Sequence, residues 1–314
     1  MTTFAMRRRR AASVGGNVAQ RSRTGALAIG MLLLIACVAA LRAAPDLRAW
    51  WGAAPGSDAD ALARVFLFDL NLPRVAAALV AGGCLGIAGA LFQSATRNPL
   101  ASPDLLGVTG GAQLGLLAAM LVPALAGVAS VPLLFVCGLA AAACAMLAAG
   151  GWRATPLRLV LAGSVCMLLF AALSTLLLAC FEQNIAGAAL WANGSLYQPG
   201  ATGLKLAASW LVLPLAALPF VIRPLDPLAL GDDAAAALGL PIAALRPLAL
   251  VIATLAACAA VAAVGPVGFI GLMAPHVATM LGARRHRTRL WLAAACGALI
   301  LGLADVAART AVAP

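Results

Sequence analysis

Residues 96–115 read TRNPLASPDLLGVTGGAQLG, and they lie between two long apolar runs. A simple connection needs only about two to six residues, so this stretch is more than a turn. Its two prolines stop the preceding helix from continuing, because proline lacks the N–H that a helix uses. Glycines then recur every four residues, on one face of the following helix, where they let a neighbour pack closely. The stretch therefore predicts a break after the preceding membrane helix and close packing of the helix that follows.

The composition identifies a membrane protein. Hydrophobic residues make up 64% of the chain and charged residues 10%, against about 45–50% and about 25% in soluble proteins. A membrane-spanning helix needs about 20 mostly apolar residues. The charge-free windows therefore predict an all-α polytopic protein with nine transmembrane helices. We expect these spans near 25–43, 73–93, after 107, and near 131–150, 157–181, 205–222, 247–264, 267–282 and 290–308.

The distribution of basic residues predicts the orientation, because cytoplasmic loops carry an excess of lysine and arginine. With a cytoplasmic N-terminus and nine spans, 15 of the 21 basic residues fall on the inner side. The remainder fall outside or at the outer boundary, and they are Arg42, Arg48, Arg64, Arg74, Lys205 and Arg309. The opposite orientation inverts this ratio. The net charge of +11 is thus explained without a nucleic-acid partner.

The chain divides into a basic cytoplasmic segment at 1–24 and a transmembrane domain at 25–314. An alternative for the first apolar window is a cleaved signal peptide, since MRRRR precedes an apolar run. The length of the basic region and the membrane character of the rest favour a first transmembrane helix. The window 183–204 is too polar to span, and we expect it to lie at the outer face.

The cytoplasmic segment 223–246 contains GDDAAAALGLP, which predicts a short capped helix. Asp232 and Asp233 at its start favour the helix dipole, Gly239 terminates it, and Pro241 prevents it from continuing. Such a helix would fit a groove on a soluble partner. An ordinary interfacial connector is the alternative that these residues leave open.

The chain lacks recognisable catalytic groups. It contains no G-x-x-x-x-G-K-[ST] phosphate loop, and Lys205 is its one lysine. His276 and His286 are ten residues apart, and the eight cysteines form no C-x-x-C pair, so no metal site is predicted. Asp305 is the clearest acid within a span, and we expect it to cap or bond a neighbouring helix rather than to carry ions.

Six stretches together resemble the FecCD-type permeases of ATP-binding-cassette (ABC) importers, which take up ferric siderophores, haem and cobalamin. They cover most of the chain in the family's order. They are LPRVAAALVAGGCLGIAGALFQ (72–93), TRNPLASPDLLGVTGGAQLG (96–115), LWANGSL (190–196), LALGDDAAAALGL (228–240), VGPVGFIGLMAPHVATMLG (264–282) and LADVAAR (303–309).

The resemblance implies roles for three sets of residues. The set that couples the permease to a cytoplasmic ABC ATPase dimer is Gly231, Asp232, Asp233, Leu238 and Gly239. Arginines that dock a periplasmic substrate-binding protein match Arg74 and Arg309; Asn71 stands where the family often has another arginine, and Arg64 is a candidate replacement. The packing residues of the family motifs are Asn98, Pro99, Gly107, Gly111, Gly115, Gly265, Pro266 and Pro275.

The resemblance further implies a transport subunit of the bacterial inner membrane that is not an enzyme. It would bind no cofactor, pair with a second permease unit and work by alternating access. Similarity to the N-terminal half of ferric hydroxamate permeases implies a hydroxamate siderophore as substrate; haem or cobalamin is the alternative, and an ion-coupled secondary transporter is a distant one. A family unit has ten spans, whereas nine are expected here. The sequence is then a fragment, or a second half is separate from it, or the tenth span is missing.

Overall fold

A computed structural model describes residues 30–31, 33–40, 43–122, 125, 130–151, 156–181, 192, 194–196, 201–228, 231–283 and 285–312. Residues 33–40 and 43–52 are helical, and the helices that follow are α1 (Asp58–Arg64), α2 (Leu72–Thr96), α3 (Val108–Leu121), α4 (Ser130–Ala148), α5 (Pro156–Cys180), α6 (Ala201–Leu228), α7 (Asp232–Ala237), α8 (Ile242–Val264), α9 (Ile270–Met280) and α10 (His286–Val312). A π-helix, Val65–Asn71, joins α1 to α2. The predicted basic segment and most of the predicted outer segment lie outside the described residues.

The all-α polytopic class is confirmed. In the described part of the chain, five helices are long and apolar enough to cross a membrane. They are Asp58–Thr96, Ser130–Ala148, Leu157–Cys180, Ile242–Val264 and His286–Ala308, and two shorter apolar helices are Val108–Leu121 and Ile270–Met280. The total of nine spans stays a prediction, because the first expected span is only partly described.

Helix α2 lies at the centre of the bundle and is buried along most of its length. Glycines allow this burial. A methyl group at Gly82 or Gly86 would overlap the backbone of α10, and one at Gly89 would overlap the backbone of Gly271 in α9. The small residues in GGCLGIAG thus let two neighbours approach α2 at backbone distance, as the sequence indicated.

Several helices are longer than expected, and two of them show how proline is accommodated. The predicted second span began near Pro73, but the helix is continuous from Asp58 to Thr96. Pro73 is accommodated because it occupies the first turn of α2, directly after the π-helix, where an α-helical donor is not required. Helix α6 similarly runs past the expected end at 222 to Leu228 despite four internal prolines. The predicted cytoplasmic segment 223–246 therefore begins inside a helix.

Helices α3 and α9 are too short to cross the membrane alone. They contain 14 and 11 residues, or about 21 and about 16 Å of rise, against a hydrocarbon core of about 30 Å. The non-helical segments that precede them, 97–107 and 265–269, make up the remaining depth. Leu105 in the first segment contacts Gly163, one-quarter of the way along α5, and Gly271 at the start of α9 contacts Gly89, seven residues before the end of α2. We therefore expect Leu105 and the segment 265–269 to lie at membrane depth.

Candidate functional site

The residues predicted to couple to an ATPase form one short helix with defined ends. Gly231 precedes α7 with a φ of 119°, Asp232 and Asp233 occupy its first turn, and Leu238 is its C-cap. Gly239 follows with a φ of 75°, a conformation that glycine adopts without steric cost. The expected capped helix is present. The side chain of Leu238 is 65% exposed, which leaves an apolar group on the surface of this helix.

Asp232 fixes α7 to the rest of the bundle through two arginines. Its Oδ2 lies 3.2 Å from Nη2 of Arg97, and its Oδ1 lies 2.8 Å from Nη2 of Arg246. Arg97 is the residue in which α2 ends, with a φ of 50°, and Arg246 lies in the second turn of α8. The coupling helix is therefore tied by its first residue to the central helix and to α8.

Sequence reasoning missed the role of Arg97. On sequence alone, Arg97 was only one of the inner-side charges, and its ion pair with Asp232 was not predicted. Arg97 is nevertheless the one basic residue in the stretch 96–115. Its position directly before the N-P-L-A motif, in a segment otherwise poor in charge, was the available signal.

Other polar contacts at the same end of the bundle involve the start of α10. Nη2 of Arg289 donates to Oε1 of Gln93 at 2.5 Å. The backbone N–H of His286 donates to Oδ1 of Asp226 at 2.8 Å, and its Nδ1 lies 3.0 Å from the same oxygen. These contacts join α10 to the cytoplasmic ends of α2 and α6.

The predicted docking arginines lie at the opposite end, and two of them are engaged within the chain. Nη2 of Arg74 lies 2.6 Å from Oδ1 of Asp305, whose side chain is 3% exposed. Asp305 thus bonds a neighbouring helix, as its sequence context suggested. Nε of Arg64 lies 3.1 Å from Asp60, and its guanidinium lies over the Trp50 ring.

The other two positions linked to docking are Arg309 and Asn71. The side chain of Arg309 lies outside the described residues, although its backbone belongs to α10. Nδ2 of Asn71 donates to Oδ2 of Asp46 at 2.8 Å. Docking by Arg74, Arg309 or Arg64 stays a prediction.

The family-motif residues within 96–115 stabilise a turn or let neighbouring helices pack closely. Oδ1 of Asn98 accepts the N–H of Leu100 at 3.0 Å, and Pro99 follows within the turn. Methyl groups at Gly111 and Gly115 would overlap α4, so these glycines share a face as predicted. Gly107 differs: it is the N-cap of α3 with a φ of 71° and approaches α5. The expected run of three glycines on one helix face is therefore a pair, because α3 begins only after Gly107.

Gly265, Pro266 and Pro275 lie around α9. Gly265 ends α8 with a φ of 76°. The carbonyl of Pro266 lies 2.5 Å from the position that a Cβ on Gly194 would occupy, so the two segments touch through their backbones. Pro275 is buried within α9, and its carbonyl accepts the Thr279 hydroxyl at 2.9 Å.

The geometry places the predicted coupling residues and the predicted docking residues at opposite ends of the bundle. Helix α2 has 25 residues, about 37 Å, with Arg74 in its first turn and Arg97 at its end. A docked partner at either end would therefore contact the same rigid central helix. Among the described residues, no group of three His, Cys, Asp or Glu is placed to hold a metal ion.

Comparison with known proteins identifies relatives along nearly the whole chain. The iron(3+)-hydroxamate import permease FhuB of Salmonella typhimurium is 36% identical over 92% of this chain and 42% of its own. The Fe(3+) dicitrate permease FecD of Escherichia coli is 37% identical over 77% of this chain and 76% of its own. The vitamin B12 permease BtuC of Salmonella schwarzengrund is 34% identical over 91% of this chain and 87% of its own. The chain spans less than half the length of FhuB.

A solved structure described as an inward-facing conformation of a metal-chelate type ABC transporter matches with a TM-score of 0.74. It is 27% identical and covers 91% of each chain. The sequence profile of the FecCD transport family matches residues 27–314. With these relatives, this all-helical architecture and the capped helix α7 at one end of α2, the chain belongs to the FecCD transport family.

Proposed function

We propose that this chain is the membrane permease of an ABC importer that carries a ferric siderophore, of hydroxamate type, across the bacterial inner membrane. The observation that carries the proposal is the family match over residues 27–314. The similarity to FhuB supports the choice of substrate. The passage would open alternately to each side, and no covalent chemistry is assigned to this chain.

The partners follow from the two ends of the bundle. Helix α7, with its exposed Leu238 and its anchored Asp232, suits a cytoplasmic ATPase dimer that hydrolyses ATP. The arginine-bearing end suits a periplasmic binding protein with acidic side chains. A second permease unit, as a separate chain or a fused half, would complete the passage. Helix α5, exposed along much of its length, offers it an apolar face.

Uptake of radioactive iron tests the proposal. A strain that lacks its own hydroxamate permease would express this chain with the native ATPase and binding protein. We expect ATP-dependent uptake of iron from a ferric hydroxamate. Loss of uptake on replacing the ATPase with an inactive form is the matched control.

Cobalamin is the second candidate substrate, since BtuC is similar to this chain over 87% of its own length. Uptake of labelled cobalamin and haem in corresponding deletion strains separates these substrates from iron chelates. No uptake of any of the three would contradict the proposed class. Uptake that persists without a functional ATPase would instead favour an ion-coupled carrier.

A further inference from the structure

The two non-helical segments, 97–107 and 265–269, meet at a polar contact. The N–H of Phe269 donates to Oδ2 of Asp104 at 3.1 Å. Phe269 has a φ of 73°, which few bulky residues adopt. Strained backbone of this kind persists where the surroundings hold it, and it is concentrated at functional sites.

Phe269 is held in this conformation but is not packed into the bundle. Its side chain is 64% exposed, and the preceding Gly268 is exposed as well. A Cβ on Gly268 would lie 3.7 Å from Oδ2 of Asp104, so the carboxylate lies directly behind this exposed backbone.

The depth of the segment restricts what can lie in front of it. Gly271, two residues after Phe269, packs against Gly89 and lies near Leu85 of α2. Gly89 is seven residues before the end of α2, or about 10 Å from it along the helix axis. Non-helical backbone at such a depth is tolerated where it is buried in protein or lines a water-filled cavity. Within this chain Gly268 and Phe269 are exposed, so burial by the chain's own residues does not meet this condition, whereas a water-filled cavity would meet it.

We propose that Phe269 lines the translocation passage inside the membrane and contacts the cargo, and that Asp104 is the positioning residue that holds it there. This inference rests on the proposed permease function. An aromatic face offers a large, rigid apolar contact and carries no charge that would trap a bulky chelate. Oδ2 of Asp104 accepts the backbone N–H of Phe269, so this oxygen is not available to bind the cargo.

Thiol labelling in membrane vesicles tests the position of Phe269 without requiring transport. Phe269→Cys is compared with Val212→Cys; Val212 is similarly exposed at 65% but lies within helix α6. Both are made after the exposed Cys37, Cys144 and Cys180 are replaced by alanine. A charged methanethiosulfonate reacts with thiolate, which forms in water. We expect Phe269→Cys to react about tenfold faster; equal rates would overturn the proposal.

Two variants at position 269 separate cargo contact from structure. Phe269→Gly removes the ring and relieves the left-handed backbone, so we expect a melting temperature at least equal to that of the parent. Phe269→Ala removes the ring and retains the strain. Both should lower uptake several-fold. Full uptake by a stable Phe269→Gly protein would show that the ring does not contact cargo.

The positioning role of Asp104 is tested in the Phe269→Cys protein. Asp104→Ala removes the acceptor and is expected to change the labelling rate, whereas Asp104→Asn retains a carbonyl oxygen and is expected to keep it. Equal rates in the two variants would overturn this role.

The labelling result is independent of the cargo. Fast labelling without uptake of any chelate would contradict the proposed function and leave the water-filled passage supported. Uptake with slow labelling at position 269 would contradict the inference alone.

Discussion

Single residues carry two kinds of constraint in this protein, steric and electrostatic. Gly83 and Gly89 lie in the same helix but face different surroundings. A Cβ at Gly89 would overlap the carbonyl of Gly271, whereas at Gly83 the nearest atom is the carbonyl oxygen of Ala294, 3.7 Å away. The difference depends on what packs against each position and is not visible in the GGCLGIAG pattern.

We predict that Gly89→Ala destabilises the protein by about 1–3 kcal/mol, because the backbones of α2 and α9 must separate. Gly83→Ala is the matched control and should be neutral or stabilising by up to about 1 kcal/mol, since alanine favours a helix over glycine. Thermal unfolding in detergent measures both changes. Similar losses in the two variants would contradict the close α2–α9 contact.

A second prediction concerns Arg74, which is paired with the buried Asp305. Arg74→Ala would remove a charged partner from a buried carboxylate and should cost about 1–3 kcal/mol. Arg64→Ala removes a more exposed pair and should cost about 0.2–1 kcal/mol. The same melting experiment compares them. If Arg74→Ala retains full stability but loses uptake, docking is its main role.

At the scale of elements, the decisive feature is the attachment of α7. A helix of six residues is too short to be stable alone in water, so its position depends on what holds it. Arg97 and Arg246 hold its first residue from two other helices. Motion of α7 imposed by an ATPase would therefore reach the end of α2 and the segment 97–107 directly.

We predict that Arg97→Ala lowers uptake in the parent but has no further effect in an Asp232→Ala background. Each half-exposed pair contributes about 0.2–1 kcal/mol, so a double-mutant cycle on uptake rates is the appropriate measurement. Arg246→Ala provides the parallel cycle on the other side of Asp232. Additive losses would show that Arg97 acts independently of the coupling helix.

At the scale of the whole molecule, the orientation in the membrane determines which side each end of the bundle faces. The positive-inside rule places α7 inside and the start of α1 outside. Asp233 and Asp58 are both exposed and mark these two ends.

We predict that Asp233→Cys is labelled by an impermeant thiol reagent only in inside-out vesicles, and Asp58→Cys only in right-side-out vesicles. Both are made in the background without exposed native cysteines. The reverse pattern would invert the topology and remove the basis for assigning α7 to a cytoplasmic ATPase.

Much of the architecture could be predicted from local sequence. The spans near 131–150, 157–181 and 247–264 lie where α4, α5 and α8 are found, because apolar length and flanking charges are local properties. The capped helix at Asp232 followed from helix-end preferences that act within a few residues. The predicted inner end of α6 at 222 was wrong, because it was set by the charged residue Arg223, whereas the helix continues through Arg223 to Leu228.

The sequence by itself determined the membrane class and the ends of α7, since these depend on composition and short-range backbone preference, and it predicted the orientation from the distribution of charge. Only the tertiary structure decided which polar groups meet: Arg74 and Asp305 are 231 residues apart along the chain, and Asp104 and the backbone N–H of Phe269 are 165 apart. It also placed Leu105 against α5 and the start of α9 against α2. Such contacts arise when helices pack, and packing depends on surfaces that a linear pattern does not specify.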